Sequence, residues 1–450
     1  MITSEIEGQT GSQSKTETIR EDGVSVKSEE GEEEEGMELK GEVVEDTNNA
    51  VFFIFMFFGF GALLPWNMFL NISFDYFENF KLLDDNEPTW FSKHFQNAMT
   101  ISAQLPSLLF NFGSIYCAPG GDLTYRMMSC LGIVQLMIIV TMVFIYIPTS
   151  SWVATFFITT LLTIICLNAA NGYFQNSMFG LASPFPFKYT NAIIIGQNIC
   201  GVIVTILYMI TRTITSDTQT RALMYFITSS IVIIVCIVLL NVIKNINFFQ
   251  HYGMLTHRSV REVNNVAKNV KLAFSTSKWQ LLNIFLLFFV TLSLFPNVTM
   301  YIKDKETGDK YTFIVPEKYF MDVTNFLNFN VFAFLGSLTA NWIRCPGPKS
   351  IWLLVVARFW FFFYFPAANY LPTERRFGVL FESTWLYVAS LAVFAFTSGY
   401  LSSLVMMYAP RTCKMAHIQR TAGMLASFCL VLGIVCGLIF SVWIKYFMTK

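Results

Sequence analysis

Three residues interrupt the first apolar run of the chain. In GFGALLPWNMF, residues 59–69, Pro65, Trp66 and Asn67 follow one another. Proline removes a backbone donor and bends a helix, and an asparagine amide finds no partner in hydrocarbon. A helix that only anchored the chain would carry neither. A second group stands in NGYFQNSMFGLA, where Asn171 and Gln175 lie one helical turn apart on one face and Asn176, Ser177 and Gly180 follow. A third is KYTNAIIIGQNICG, in which Gly196 and Gly201 bracket Gln197, and glycines so placed let two helices approach closely. The chemistry on offer is recognition rather than bond making. Amides and an indole N–H bind a polar solute by hydrogen bonds and stacking. The plainer reading is that the same amides hold helices together. Several such clusters in different apolar runs favour the lining of a solute path, because each polar group inside a membrane is costly unless it is partnered or faces a cavity.

The elements that must position these residues are membrane helices. The 450 residues are 54% hydrophobic and 13% charged, with a mean hydropathy of +0.51; a soluble fold of this size needs more surface charge. Apolar runs of spanning length recur near 50–72, 94–116, 127–148, 152–180, 190–211, 222–243, 279–301, 319–342, 351–371, 383–407 and 421–446. They predict an all-α integral membrane protein of eleven transmembrane helices. The run at 152–180 is long enough to tilt.

The formal net charge of zero conceals a division. Residues 1–47 hold 15 of the 30 acidic groups against four basic ones, with SEEGEEEE at their centre. This predicts a disordered acidic tail over 1–48 and leaves the remainder positive. The connection 244–278 carries Lys244, Arg258, Arg261, Lys268, Lys271 and Lys278 against Glu262. The excess of basic residues in cytoplasmic loops therefore predicts the N-terminus and this loop in the cytoplasm, and the C-terminus at Lys450 outside. Arg375 and Arg376 run against the rule. The expected organisation is the tail, spans one to six over 49–243, the basic loop 244–278, and spans seven to eleven over 279–450. A bundle divided six and five by a basic loop is the plan of many secondary transporters.

Other functions find no support. There is no GxxxxGK[ST], HExxH, Ser-His-Asp set or carboxylate pair, so neither an ATP motor nor an enzyme is indicated. The nine cysteines form no CxxC and read as small apolar fillers; the four histidines form no cluster. No catalytic residue, metal or cofactor is expected, and no nucleic-acid partner; the partners are a small solute and the lipid bilayer. The acidic N-terminus is not a signal peptide, and the plasma membrane is the default location. Asn71-Ile-Ser and Asn297-Val-Thr are glycosylation sequons near the outer ends of spans.

The whole membrane part resembles the equilibrative nucleoside transporters. GALLPWNMF resembles that family's GxLLPWNxF signature, QNSMFGLA its QGSxFGLA stretch and YTNAIIIGQNICG its YTxxxxxGQxxxG stretch. FNVFAFLG resembles FNxFDxLGR, and FAFTSGYLSSLVMMYAP and RTAGMLASFCLVLG resemble the last two spans. The matches run in order from about residue 50 to 446. The resemblance implies a major-facilitator-like bundle that moves nucleosides, in some members also nucleobases, down their gradients by rocking around a central site. It places Leu63, Trp66 and Leu70 on the cavity wall, with Pro65 and Asn67 shaping the helix beside them. It makes Gln175 the reader of the base, adds Gly196 and Gly201 as packing glycines, and adds Phe295, Phe326, Asn330 and Ile434 as contacts. Arg358 matches a structural or gating arginine.

Departures accompany the resemblance. The family's eighth span usually has an aspartate and, four residues later, an arginine that hold the ribose. Here those positions are Ala333 and Ser337. Ser398 stands for a usual asparagine, while Gln104 and Asn171 add amides where relatives often have methionine and glycine. Asp322, beside Lys318 near the outer end, reads as a surface acid, and no other buried Asp-Arg pair is visible. Two alternatives to nucleoside transport thus stay open: a divergent, non-transporting membrane regulator or scaffold, and a transporter of another small polar solute.

Overall fold

A computed structural model describes residues 45–84, 87–116, 122–260, 265–304, 311, 313–372 and 374–449, without the side chains of 254–260. The acidic tail up to residue 44, Cys117, Arg261, Glu262 and Lys450 lie outside this set, and Arg258 lies among the undescribed side chains.

Side-chain caps start several of the helices. Asp46 accepts from the backbone N–H of Val51 and Phe52 at 3.0 and 3.2 Å and so satisfies donors that the first turn of α1, Ala50–Ile72, cannot. α1 continues through Pro65 as one element and passes into a π-helical segment, Ser73–Lys81. α2 is Trp90–Tyr116. Asp122 caps α3, Leu123–Tyr146, by accepting from the Thr124 N–H. α4 is Val153–Ala182 and α5 is Phe187–Ile214. Asp217 caps α6, Thr218–Ile243. α7 is Asn247–Val260, and Asn265 caps α8, Val266–Leu294. A π-helical segment, Asp322–Leu327, leads into α9, Asn328–Thr339. α10, Ile351–Ala357, and α11, Phe361–Ala367, are joined by one 3-10 turn. Ser383 caps α12, Thr384–Arg411, and α13 is Ala416–Met448.

Two groups of helices result. In the first, α1 lies on α5 and α6, and α4 lies between α2 and α3. In the second, α13 lies along α8, and α12 along α9. The groups meet where α5 touches α9 and α12, and where α13 touches α2 and α4.

Among the described residues, eight helices are long and apolar enough to cross a membrane. Three further predicted runs are helical but fall short of that measure. α2 carries Lys93, His94, Gln96, Asn97 and Gln104. The run at 319–342 is split by its π segment, and Ile351–Ala367 is a shorter apolar rod.

Much of the 244–278 connection is helical rather than loop. α7 turns Phe248 and Phe249 into the core, where Phe249 stacks on Phe185 at 5.7 Å. Lys268, Lys271 and Lys278 already belong to α8. Apolar residues between the basic ones explain this, since they cover the ends of α5 and α13. Arg375, which ran against the charge rule, is buried and donates to the carbonyls of Pro366, Ala368, Tyr370, Phe377 and Gly378. Its charge closes a loop.

Candidate solute-binding site

Four partly exposed side chains make a stripe along α1. Leu63, Trp66, Asn67 and Leu70 are half-buried, while Leu64, Pro65, Met68 and Phe69 between them are buried. Spacings of three, four and seven put the four on one helix face. Asn67 Nδ2 reaches Cys200 Sγ at 3.8 Å, so the stripe looks toward α5. Two glycines allow that approach. A Cβ at Gly59 would lie 2.0 Å from the Ile193 carbonyl oxygen, and one at Gly196 would lie 1.8 Å from that of Met56. Any larger residue forces the helices apart.

The next residue of α5 receives the second group. A Cβ at Gly201 would fall 2.2 Å from Asn330 Oδ1, and Asn330 Nδ2 donates to Thr205 Oγ1 at 3.1 Å. Asn67 of α1 and Asn330 of α9 thus meet consecutive residues of α5. One turn before Asn330, Phe326 lies edge-on to Phe295 with centroids 5.9 Å apart, and Phe295 stacks on Phe329 at 3.6 Å.

A third group joins α2, α4 and α13. Asn176 Nδ2 donates to Asn111 Oδ1 and to the Met424 carbonyl, both at 2.9 Å, and Asn111 Nδ2 donates to Ser427 Oγ at 3.1 Å. Gln104 stands seven residues before Asn111, and Ile434 seven after Ser427. Each is therefore two turns along on the same face. Because α2 and α13 run antiparallel, Gln104 and Ile434 reach the same level. Asn171 and Gln175 share a face of α4 beside this network.

The bonding of these residues separates them. Asn111 and the Asn176 Nδ2 are engaged in holding helices, while the Asn176 Oδ1 is buried without a donor among the described residues. Gln104, Asn171, Gln175 and the Trp66 Nε1 have no hydrogen-bond partner among the described residues, and Gln175 is 6% exposed. Gln197 Nε2 and Asn198 Nδ2 on α5 are buried without an acceptor. The sequence pointed to Gln197 but passed over Asn198, whose signal was the second amide of GQN. Unsatisfied buried amides cost free energy, which a bound polar solute or water would recover.

Other predicted residues stand elsewhere. Arg358 is buried between α8 and α12, donating to the Phe394 carbonyl at 2.7 Å, to Thr291 Oγ1 at 2.9 Å and to Thr397 Oγ1. Thr291 Oγ1 lies 3.1 Å from Ser398 Oγ, so Ser398 belongs to this arginine's network. Ala333 and Ser337 are buried. A Cβ at Gly399 of α12 would lie 1.9 Å from the Ala333 carbonyl, and Ser337 offers its carbonyl to Asn191 Nδ2 at 3.0 Å. Close packing of α9 on α5 and α12 fills the space there. The sequon residue Asn297 donates to Ser441 Oγ at 2.9 Å, and Asn71 is half-buried.

One expectation is overturned. Asp322 is not a surface acid: it is 3% exposed and stands 3.6 Å from Arg212 of α5. Lys318, four residues earlier, had suggested a surface, but it is exposed on a 3-10 turn, Glu317–Tyr319, whereas Asp322 begins the π-helical segment that packs on α5.

No group of three or more His, Cys, Asp and Glu able to hold a metal occurs among the described residues. A groove of about 890 Å³ walled by Phe289, Phe362 and Phe440, and one of about 770 Å³ at Phe110, Arg126 and Tyr173, contain none of the predicted site residues.

Known proteins match this arrangement. A family model described as nucleoside transporter matches residues 161–446. The chain is similar to equilibrative nucleoside transporter 1 of Homo sapiens, at 28% identity, and to that of Rattus norvegicus, at 30%. Each alignment covers 88% of this chain and 97% of the relative. Among solved structures, the fold is similar to the major facilitator superfamily transporter FucP in its outward conformation, with a TM-score of 0.55 and 8% identity over 88% of this chain and 96% of that one. It is also similar to a bacterial homologue of the iron transporter ferroportin, with a TM-score of 0.53 and 13% identity over 89% and 91%. The architecture is thus an all-helical, major-facilitator-like transporter fold in a multi-pass membrane protein, and the chain belongs to the nucleoside transporter family.

Proposed function

We propose that this protein is a facilitative transporter of nucleosides, working by alternating access around a site between its two helix groups. The carrying observation is a set of polar groups on membrane helices that make no hydrogen bond among the described residues, Trp66 Nε1 and the amides of Gln104, Asn171 and Gln175. The human and rat relatives named above, matched over 97% of their length, support the same reading. In it, Trp66 stacks on the base and Gln175 reads its edge. Gln104, Asn171 and Asn330 bind the sugar in place of the charged pair that Ala333 and Ser337 replace. Leu63, Leu70, Phe295, Phe326 and Ile434 wall the site, and Pro65, Asn67, Gly196, Gly201 and Arg358 hold its helices. The chain crosses the plasma membrane eleven times, six spans before the basic 244–278 connection and five after, with the acidic tail in the cytoplasm and the C-terminus outside.

The burial of Ala333 and Ser337 favours one second reading, a different small polar solute. The test is uptake of labelled adenosine and uridine in cells lacking nucleoside transport of their own. Saturable uptake competed by inosine is expected. A surface-expressed protein that carries neither would overturn the proposal and leave the other solute, or none.

A further inference from the structure

Two membrane helices leave α-helical geometry at the same end of the bundle, and each carries a carboxylate there. Ser73–Lys81, after α1, holds Asp75; Asp322–Leu327, before α9, begins with Asp322. π turns of this kind cluster at functional positions. The two acids are bonded differently. Asp75 accepts from Arg221 Nη1 at 2.8 Å, inside the first helix group. Asp322 belongs to the second group and faces Arg212 of the first. Their closest N–O distance is 3.6 Å, too long for a hydrogen bond. Asp322 is 3% exposed, and its Oδ2 has no hydrogen-bond donor. Arg212 lies over the Tyr208 ring, 5.4 Å from its centroid.

This pair is one of three levels at which α5 meets the eighth span. Midway, Asn330 donates to Thr205 at 3.1 Å. At the far end Asn191 Nδ2 donates to the Ser337 carbonyl at 3.0 Å and to Asn341 Oδ1 at 2.9 Å. Beside the ion pair, Thr213 Oγ1 and Tyr319 Oη are 3.0 Å apart. Alternating access, on which this inference rests, requires such a seam to part at each end in turn. The amide levels lose hydrogen bonds by parting. The Asp322 level gains them, because water would solvate a carboxylate that now has one distant counter-charge, and burial of an ion pair costs desolvation that attraction only partly returns.

We propose that Arg212 and Asp322 form the latch of the outer gate, an ion pair between the two helix groups that is closed in this conformation and broken when the site opens to the outside. Neutralising Arg212 leaves Asp322 buried and uncompensated and shifts the population toward the open state, whereas neutralising Asp322 leaves Arg212, whose side chain is 31% exposed, to water. Arg221 and Asp75, paired within one group, hold the frame against which the latch moves.

The test uses the full-length protein with Leu70→Cys as reporter, labelled on intact cells by a membrane-impermeant thiol reagent; the chain without the reporter corrects for native cysteines. Arg212→Gln should raise the labelling rate on the order of tenfold, and Asp322→Asn, which removes the buried charge itself, should not. The exchanged pair, Arg212→Asp with Asp322→Arg, should return it toward the parent. Labelling needs no transport, so a rise without nucleoside uptake by any chain lacking the reporter would sink the transport reading and keep the latch. Unchanged labelling of Arg212→Gln at normal surface expression would overturn the latch. So would a loss of thermal stability that the exchange does not repair, since that is what a purely structural pair would show.

Discussion

Gln175 and Asn176 are neighbours in sequence and opposites in bonding, which makes them a sharp test of where the solute binds. Gln175 is 94% buried and its amide has no partner among the described residues, whereas Asn176 donates to Asn111 and to the Met424 carbonyl. Gln175→Leu therefore breaks no bond in the ligand-free protein. It removes only bonds to a ligand. A net neutral hydrogen bond is worth about 0.5–1.5 kcal/mol, so two of them on a base edge give about 1–3 kcal/mol. At 1.4 kcal/mol per factor of ten, the half-saturation concentration should rise roughly 5- to 150-fold. The thermal midpoint should hold, because no hydrogen bond within the described protein is lost. Asn176→Leu should do the reverse, leaving two acceptors without their donor at about 1–3 kcal/mol each. The assays are labelled adenosine uptake at matched surface expression, and the thermal midpoint of purified protein with and without adenosine. If Gln175→Leu melts as early as Asn176→Leu and keeps its half-saturation concentration, Gln175 is a packing residue and the argument from unpartnered amides is wrong.

Further outcomes follow from the same geometry. Gly196→Ala puts a methyl 1.8 Å from the Met56 carbonyl, so α1 and α5 must separate; a loss of about 1–3 kcal/mol is expected, and an unchanged melting temperature would refute the close crossing. Arg358→Lys cannot reproduce the donors to Phe394, Thr291 and Thr397; losing one charged hydrogen bond costs about 1.5–3 kcal/mol, read as a lower thermal midpoint. Ser337→Arg forces a long cation into a fully buried site, so poor folding should precede any gain in nucleoside affinity, and a stable variant with tighter adenosine binding would show that the site is open after all. Trp66→Leu keeps an apolar wall but removes the ring and its N–H, and should raise the half-saturation concentration for adenosine with little change in melting.

How much was legible before the fold was known follows from the kind of signal each feature leaves. Lipid imposes apolar runs of fixed length, so the helices and the polar residues that interrupt them could be read directly. Phe248 and Phe249 could not be placed that way, because a short aromatic stretch among basic residues carries no spanning pattern, and only the folded core shows that α7 covers it. Asp322 next to Lys318 looked like surface, because charge in sequence says nothing about which face meets another helix. Its partner Arg212 lies 110 residues away. Gln175 and Asn176 looked equivalent as amides in one motif, and only their neighbours across space divide them into a free group and a tied one. The sequence determined the membrane class, the helical elements and the polar residues on which a site can be built, since those follow from solvation of each segment by itself. The tertiary structure alone decided which amides are satisfied, that Ala333 and Ser337 are closed off, and that a buried acid meets an arginine across the two groups. Those facts depend on contacts between residues far apart in the chain, and no local pattern encodes them.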